Sequence, residues 1–264
     1  MIHKTTYNNG DDVFYKTLGK GPLLYLVHGF CADSRIWNEL LVQLSENFTL
    51  VLPDLPGYGK SPLPNEKLTI EVFADAIEAI ISNEAHSNIC IAGHSMGGYV
   101  LCELLSRKIP GFKKGIIIHA HPFADDSEKI TERKKANRLI EKHGHHLFVK
   151  ELYKKLFAPA NRLSDHEHKF NEIISDLKTE TIVQSNLAMI MRKDHRLTLA
   201  NSAIPLQFII GEDDRLIELE KSISQTYLAP ISDVQILANT GHLSMIENSA
   251  KLVEYIQSFT MLDL

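Results

Sequence analysis

The chain has 264 residues, a formal net charge of −5 and a pI near 6.2, with 44% hydrophobic and 23% charged residues. These values are ordinary for a globular protein and exclude the strongly basic surface that nucleic-acid binding requires. Three cysteines, two of them (Cys90 and Cys102) inside apolar runs, indicate reduced packing residues and not a disulfide framework. No signal-peptide or transmembrane pattern is present, so we expect a cytoplasmic protein without membrane insertion, whose oligomeric state stays open.

The first part of the chain alternates strand and helix patterns. Residues 2–18 predict a hairpin that turns at Asn9-Gly10. Residues 23–27 are apolar at every position, which is typical of a strand covered on both faces. The alternation continues with a helix over 34–44, a strand over 48–52, a helix that Thr69 can cap, a strand from residue 89, a helix after Ser95 and a strand over 115–119.

The character of the sequence changes over residues 121–200, which are charged, rich in histidine and helical in pattern. Alternation then resumes with a strand over 206–210, a helix over about 218–228, a strand over 234–237 and a helix over about 249–259. This order predicts the α/β class, with a mostly parallel central sheet and helices on both faces. We expect residues 1–120 and 201–264 to form the core of one catalytic domain, and residues 121–200 to form a helical cap insertion.

The motif Gly93-His94-Ser95-Met96-Gly97 lies between the strand from residue 89 and the following helix. Strand, sharp turn and helix are the context of a nucleophile elbow, in which a serine is presented at a tight turn. The helix that begins after Ser95 directs free N–H groups and a positive dipole end at the reacting centre. The pattern therefore predicts Ser95 as a nucleophile.

A serine nucleophile needs a base, which a carboxylate must in turn orient. The strand that ends at residue 210 is followed by Gly211-Glu212-Asp213-Asp214, and the strand that ends at residue 237 is followed by a loop that contains His242. In an open α/β sheet both loops lie at the carboxyl edge of the strands. The order serine, acid, histidine is that of a hydrolase, with the acid still to be chosen from the loop over 212–214.

Together these motifs resemble the α/β-hydrolase superfamily over essentially the whole chain. The motifs are His28-Gly29-Phe30, Asp54-Leu55-Pro56-Gly57-Tyr58-Gly59-Lys60-Ser61, Gly93-His94-Ser95-Met96-Gly97-Gly98, Gly211-Glu212-Asp213-Asp214 and Gly241-His242-Leu243-Ser244-Met245-Ile246-Glu247. The resemblance implies Ser95 as nucleophile, His242 as general base and then acid, and Asp214 as the orienting acid. It also implies an oxyanion hole made by the backbone N–H groups of Phe30 and Met96. Some relatives carry the acid after an earlier strand, where Asp125 and Asp126 lie here.

Other residues are weaker candidates. His28 and His94 flank the predicted site, and we expect them to support loop hydrogen bonds more than to titrate in catalysis. His121 and Phe123 can line a pocket under the cap, and we name all four as substrate-binding candidates. The glycine-rich segment 57–61 does not complete a phosphate-binding loop, because Asp54 occupies the position of its first glycine. The histidines at 143–146 and 166–168 lack clear metal-ligand spacing, so we expect neither a metal nor an organic cofactor.

The sequence thus predicts a serine hydrolase that cleaves a carboxylic ester with a small or medium hydrophobic acyl or alcohol group through an acyl-enzyme intermediate. Its partner would be a small-molecule substrate. The same triad could act as a thioesterase, amidase, C–C hydrolase, lyase or perhydrolase. A ligand receptor of this fold with slow turnover is a further alternative, because function depends on the site and not on the fold.

Overall fold

The computed structural model describes residues 1–8, 10–84, 88–162 and 164–262. Its strands are β1 Ile2–Asn8, β2 Asp11–Leu18, β3 Leu23–Val27, β4 Thr49–Pro53, β5 Ile89–His94, β6 Phe112–Ile118, β7 Leu206–Gly211 and β8 Ser232–Leu237. The predicted hairpin corresponds to β1 and β2, which pair antiparallel, while the Asn9 half of its turn lies outside the described residues.

These strands form one sheet in the order β1-β2-β4-β3-β5-β6-β7-β8. Strand β2 runs antiparallel to β1 and β4, and the six strands from β4 to β8 in this order are parallel. All parallel strands therefore end at the same edge of the sheet. The loops after β3, β5, β6, β7 and β8 meet there, which is where a site is expected in such a sheet.

The helices are α1 Leu41–Ser45, α2 Ile70–Glu84, α3 Met96–Ser106, α4 Ser127–His143, α5 His146–Leu156, α6 Ser164–Ile174, α7 Thr179–Met191, α8 Arg196–Ala200, α9 Leu219–Ser224, α10 Ser244–Glu247 and α11 Ser249–Met261. Thr69 caps α2, since its Oγ1 accepts the N–H of Val72 at 3.2 Å. The helix predicted over 34–44 is split into a 3₁₀ segment, Ser34–Leu40, and α1. The helix predicted over 218–228 ends early, because the Gln225 side chain turns inward and its Nε2 donates to the Ala120 carbonyl at 2.7 Å.

Two hydrophobic clusters cover the two faces of the sheet. Alternate residues of β3 illustrate the division, because Tyr25 packs into the cluster with α2 and α3 while Leu24 packs into the cluster with Trp37 and α11. Both residues are fully buried. The uniformly apolar sequence of β3 follows from this burial on both faces.

The described residues between β6 and β7 form the five helices α4 to α8. We call residues 121–200 the cap segment, as the sequence predicted it; its treatment as a separate insertion stays a prediction. Helix α4 begins at a carboxylate cap, since Asp126 Oδ1 accepts the N–H of Lys129 at 2.8 Å. Helix α5 contacts the core directly, because the Leu156 carbonyl accepts the backbone N–H of His242 at 2.7 Å.

Candidate active site

Ser95 occupies a strained turn between β5 and α3. Its φ of 51° and ψ of −114° place a non-glycine residue in a sparsely populated region of backbone space. The turn is closed by glycines, because a Cβ on Gly93 would lie 2.3 Å from the Gly97 carbonyl oxygen and one on Gly97 would lie 2.3 Å from the Val27 carbonyl oxygen. This is the geometry of a nucleophile elbow, with the serine held at the carboxyl edge of the sheet.

His242 and Asp214 form a buried hydrogen-bonded pair at the same edge. The Nδ1 of His242 donates to Oδ2 of Asp214 at 2.7 Å. The other carboxylate oxygen, Oδ1, accepts the backbone N–H groups of Leu216 at 2.8 Å and Ile217 at 3.1 Å. The carboxylate is therefore fixed from two sides, and it holds the imidazole with Nε2 free for another partner.

The environment of Asp214 keeps it ionised. Burial raises the pKa of its carboxyl, but the electrostatic attraction and hydrogen bond of His242 lower it, as does the hydrogen bond from the N–H of Leu216, and the balance lies below the ordinary value. A permanently charged carboxylate beside Nδ1 stabilises the imidazolium that would form when His242 takes a proton.

The alternative acids are engaged elsewhere. The Asp125 carboxylate accepts from Arg133 Nε at 2.7 Å and contacts Arg192 Nη1 at 2.8 Å. Asp126 caps α4, as described above, and Glu212 and Asp213 are exposed. The hydrogen-bonding geometry therefore favours Asp214 as the partner of His242.

The predicted oxyanion donors lie beside the serine. A Cβ on Gly29 would lie 3.1 Å from the Ser95 Cβ, so the segment Gly29-Phe30 runs directly against the nucleophile. Met96 is the first residue of α3, and the N–H groups at a helix start have no partner one turn earlier in the helix. That these two N–H groups donate to an oxyanion at Ser95 stays a prediction.

A cavity of about 870 Å³ opens onto these groups. Ser95 and His242 both line it, together with Phe30, Tyr99, His121 and Met189. Among the hydrogen bonds that the described residues make, none joins Ser95 Oγ to His242 Nε2. Such catalytic contacts are often long without substrate and tighten in the substrate complex.

Three of the four substrate-binding candidates are placed differently from the prediction. His28 is fully buried, where its Nδ1 donates to the Gly29 carbonyl and its Nε2 accepts the N–H of Leu55 at 3.0 Å. The Nε2 of His94 donates to the His242 carbonyl at 2.8 Å. Neither these two histidines nor Phe123 line the cavity in the described part of the chain, whereas His121 does. These hydrogen bonds show that His28 and His94 hold loops in place. A residue that lies near a site in sequence need not direct its side chain toward that site.

The sequence did not identify His119, which follows β6 with a φ of 46°. Its Nδ1 accepts the N–H of Gly211 at 3.2 Å, and its Nε2 donates to Ser244 Oγ at 2.8 Å. Nδ1 also lies 3.7 Å from Asp214 Oδ2. Because Nδ1 of His119 accepts the Gly211 N–H, it carries no proton and cannot donate to Asp214. His242 is therefore the imidazole that donates to Asp214. Its position at the carboxyl end of a strand was the available signal.

The histidines of the cap segment have other contacts. His166 stacks on Phe157 with ring centroids 5.6 Å apart, and His145 Nδ1 is 2.9 Å from Thr179 Oγ1. Over residues 1–8, 10–84, 88–162 and 164–262, no group of three or more His, Cys, Asp or Glu side chains is arranged to hold a metal ion.

Comparison with known proteins decides the family. The sequence model of the alpha/beta hydrolase family matches residues 24–255 of this chain. The chain belongs to the alpha/beta hydrolase family. This confirms the resemblance drawn from the motifs, and it identifies the protein as a hydrolase of α/β class with a mostly parallel sheet.

Individual members of the family are distant in sequence. The chain is 25% identical to the AB hydrolase superfamily protein YisY of Bacillus subtilis, over 94% of this chain and 95% of that protein. It is 24% identical to a pimeloyl-[acyl-carrier protein] methyl ester esterase of Xylella fastidiosa, over 94% of this chain and 98% of that protein. A thermophilic esterase from Thermogutta terrifontis superposes with a TM-score of 0.92 at 21% identity, covering 98% of both chains. In the described part of this hydrolase, no helix is both long and apolar enough to cross a membrane.

Proposed function

We propose that this hydrolase cleaves a carboxylic ester through an acyl-enzyme intermediate. The observation that carries the proposal is that a strained Ser95 and His242, whose Nδ1 is held by the buried Asp214, both line one cavity. The relative in Xylella fastidiosa is a methyl ester esterase and the structural neighbour from Thermogutta terrifontis is an esterase, which agrees with this choice of bond.

Acylation would begin at the serine. Ser95 Oγ attacks the ester carbonyl carbon while its proton passes to Nε2 of His242, and Asp214 stabilises the resulting imidazolium. The backbone N–H groups of Phe30 and Met96 donate to the oxyanion. The tetrahedral intermediate then breaks its bond to the alcohol oxygen, which takes the proton from Nε2 and leaves as the alcohol.

Deacylation repeats these steps with water. His242 takes a proton from water as the hydroxyl attacks the acyl carbon, and the returning electron pair breaks the bond to Ser95 Oγ. The proton on Nε2 goes back to the serine, and the carboxylic acid is released. No step requires a metal or an organic cofactor.

The cavity suits a small or medium substrate. Its volume of about 870 Å³ lies within the range of small-molecule sites, and Phe30, Met189, Leu216 and Ile217 give it apolar walls near the serine. We propose that the cap segment covers this substrate. We also place the enzyme in the cytoplasm, where its free, buried cysteines Cys31, Cys90 and Cys102 would stay reduced.

Hydrolysis of nitrophenyl esters from acetate to decanoate tests the proposal. We expect the wild-type protein to hydrolyse these esters and the Ser95→Ala variant not to. The acyl chain length with the highest turnover reports the size of the acyl pocket. Ser82→Ala is the matched control, because Ser82 is exposed on α2 and its hydroxyl donates to its own helix at the Glu78 carbonyl. A folded wild-type protein that hydrolyses none of these esters, or a Ser95→Ala variant with full activity, would contradict the proposal.

A further inference from the structure

Two polar side chains line the cavity without a part in the ester chemistry. Tyr99 lies one turn after Ser95 on α3, and His121 lies in the loop after β6. Their ring centroids are 5.6 Å apart. Residues four apart share one face of a helix, and the helix rise puts Tyr99 about 6 Å beyond Ser95 along α3.

The polar atoms of this pair lack partners within the protein. His121 is only 6% exposed, and its Nδ1 is buried with no hydrogen bond to any described residue. The Tyr99 hydroxyl likewise makes no hydrogen bond within the described ranges. Buried polar groups are normally paired, because an unsatisfied donor or acceptor is costly. Of these atoms only His121 Nδ1 is fully buried; the Tyr99 hydroxyl and His121 Nε2 are not among the buried unpaired atoms and have no hydrogen bond to any described residue, so both are available to a molecule in the cavity.

The surroundings of the pair are positively charged. The Arg192 guanidinium, whose side chain is 2% exposed, lies over the Tyr99 ring at 4.2 Å from the centroid. Arg192 and Arg133 share the single carboxylate of Asp125, so one positive charge stays uncompensated in this group. The acidic side chains on the same cavity wall are exposed to solvent, which screens them; they are Asp126, Glu128, Glu132, Glu151 and Glu218.

This environment fixes the state of His121. Burial, followed by the charges of Arg192, Lys221 and Arg133, lowers the pKa of His121 to about 2, so the ring is neutral. We place the single proton of the neutral ring on Nε2, because Nδ1 is buried without a partner and Nε2 is not among the buried unpaired atoms. His121 and Tyr99 can then each offer one donor to the cavity, and an acceptor oxygen can take both.

We propose that Tyr99 and His121 form a second polar subsite that binds an oxygen acceptor of the substrate, at a distance from the ester being cleaved. The substrate class is then an ester with a second carbonyl-type oxygen, either a ketone or a carboxylate, separated from the ester by a short chain. This inference rests on the proposed ester hydrolysis and adds the chemistry that selects the substrate.

Pairs of esters that differ only in this oxygen test the subsite. Methyl 4-oxopentanoate against methyl pentanoate places a ketone on the acyl side, and 3-oxobutyl acetate against butyl acetate places it on the alcohol side. Monomethyl glutarate, compared with methyl pentanoate, supplies the carboxylate. The readout is the ratio of kcat/KM for the oxygenated ester to that for the plain ester. Both esters are measured with the same preparation of each variant, so this ratio of kcat/KM values does not change when part of the enzyme is unfolded.

We expect at least one ratio in the wild type to exceed about tenfold, and Tyr99→Phe and His121→Phe each to lower that ratio about tenfold, the effect of one hydrogen bond. His121→Gln keeps an N–H donor and should retain part of the ratio. Tyr153→Phe is the control, because Tyr153 packs against Phe157 and Phe170 and does not line the cavity.

The outcomes separate the subsite from the ester chemistry. Wild-type ratios near one, or ratios that Tyr99→Phe and His121→Phe leave unchanged, would overturn the subsite while ester hydrolysis stands. Hydrolysis of none of these esters or of the nitrophenyl series would instead overturn the proposed function. A dominant ratio for monomethyl glutarate would identify the acceptor as a carboxylate, and one for a keto ester would identify it as a ketone.

Discussion

At the scale of single residues, the candidate site depends on how one carboxylate is held. Asp214 is buried, yet each of its oxygens has a donor: His242 Nδ1 on one side and two backbone N–H groups on the other. These hydrogen bonds and the electrostatic attraction of His242 outweigh the cost of burial, and the pKa of Asp214 stays below its ordinary value. The His242 imidazole therefore faces a negatively charged carboxylate that accepts its Nδ1–H, and not a protonated carboxyl group.

Asp214→Asn should remove most of the activity without unfolding the protein. The amide can donate to Nδ1, which would favour the tautomer with its proton on Nε2 and leave no base for Ser95; a loss of about 10⁴-fold in kcat is expected. Asp213→Asn is the matched control, because Asp213 is the exposed neighbour. Asp125→Asn tests the other acid, and activity lost in that variant but kept in Asp214→Asn would refute the assignment.

The same scale shows what sequence could and could not predict about the site. Ser95 and His242 were predicted from their positions after strands, since parallel strands bring such loops to one edge. The same reasoning gave only the loop over 212–214 for the acid, and the family resemblance selected Asp214. His28 and His94 support loops through hydrogen bonds to backbone groups, as expected, but the sequence could not show that neither ring reaches the cavity. Tyr99 could have been found, since a residue four after Ser95 shares its helix face.

At the scale of elements, the structure links the cap segment to His242, the proposed general base, through Glu247 of α10. One oxygen of its carboxylate accepts the N–H groups of Gly241 at 3.0 Å and Leu243 at 3.3 Å, on either side of His242. The other accepts the N–H of Ala158 at 2.9 Å, just after α5. The Glu247 side chain thus ties the loop that carries His242 to the cap segment, in addition to the backbone hydrogen bond from His242 to Leu156.

Glu247→Ala should therefore loosen the His242 loop. Three backbone N–H groups would lose their acceptor, and at about 1 kcal/mol each the free energy of unfolding should fall by about 3 kcal/mol. We expect kcat to fall more than KM changes, because His242 would no longer be held in position. Urea denaturation and steady-state kinetics measure the two effects. Glu254→Ala is the control, since Glu254 pairs only with exposed Lys251 on α11, and equal effects in both variants would refute this role for Glu247.

The elbow makes a second prediction about packing between elements. Gly97 brings α3 against the end of β3, and a Cβ there would lie 2.3 Å from the Val27 carbonyl oxygen and 2.7 Å from that of His28. Gly97→Ala should push α3 away from the sheet and lower the free energy of unfolding by about 1–3 kcal/mol. It should also reduce nitrophenyl ester turnover. Gly97→Val should be worse in both measurements, and wild-type stability in either variant would show that the contact can relax.

The secondary structure was predictable where burial was uniform. Strands β3, β5 and β7 are buried at every position, and apart from His94 and Gln207 they carry no polar side chain except the Tyr25 hydroxyl, because both faces are covered. Their predicted bounds agree with the structure to within about two residues. Helix α10 was missed, because its four residues are too few to show a period. The packing of the cap helices could not be predicted either, since polar contacts such as Asn186 Nδ2 to Asn137 Oδ1 leave no pattern in sequence.

At the scale of the whole molecule, four histidines around the site are buried in the neutral form. Burial is the largest cause in each case, and it lowers the pKa values of His28 and His94, that of His119 to about 3 and that of His121 to about 2. In the unfolded chain these groups would titrate near pH 6.5. As the pH falls below that value, the unfolded state binds protons that the folded state does not.

The free energy of unfolding should therefore be greatest above about pH 6.5 and fall toward acid, with each buried histidine adding up to about 1.4 kcal/mol per pH unit until the pH reaches its folded-state pKa. Urea denaturation at pH 5, 6, 7 and 8 measures this slope. His121→Phe should reduce the slope of the free energy of unfolding against pH by the contribution of one titrating group. His3→Gln, at an exposed position, is the control. Because Asp214 has a lowered pKa, its own contribution is lost only at more acidic pH. A free energy of unfolding that stays constant from pH 8 to pH 5 would mean that these histidines take up protons in the folded protein. The neutral state assigned to His121 in the proposed subsite would then be wrong as well.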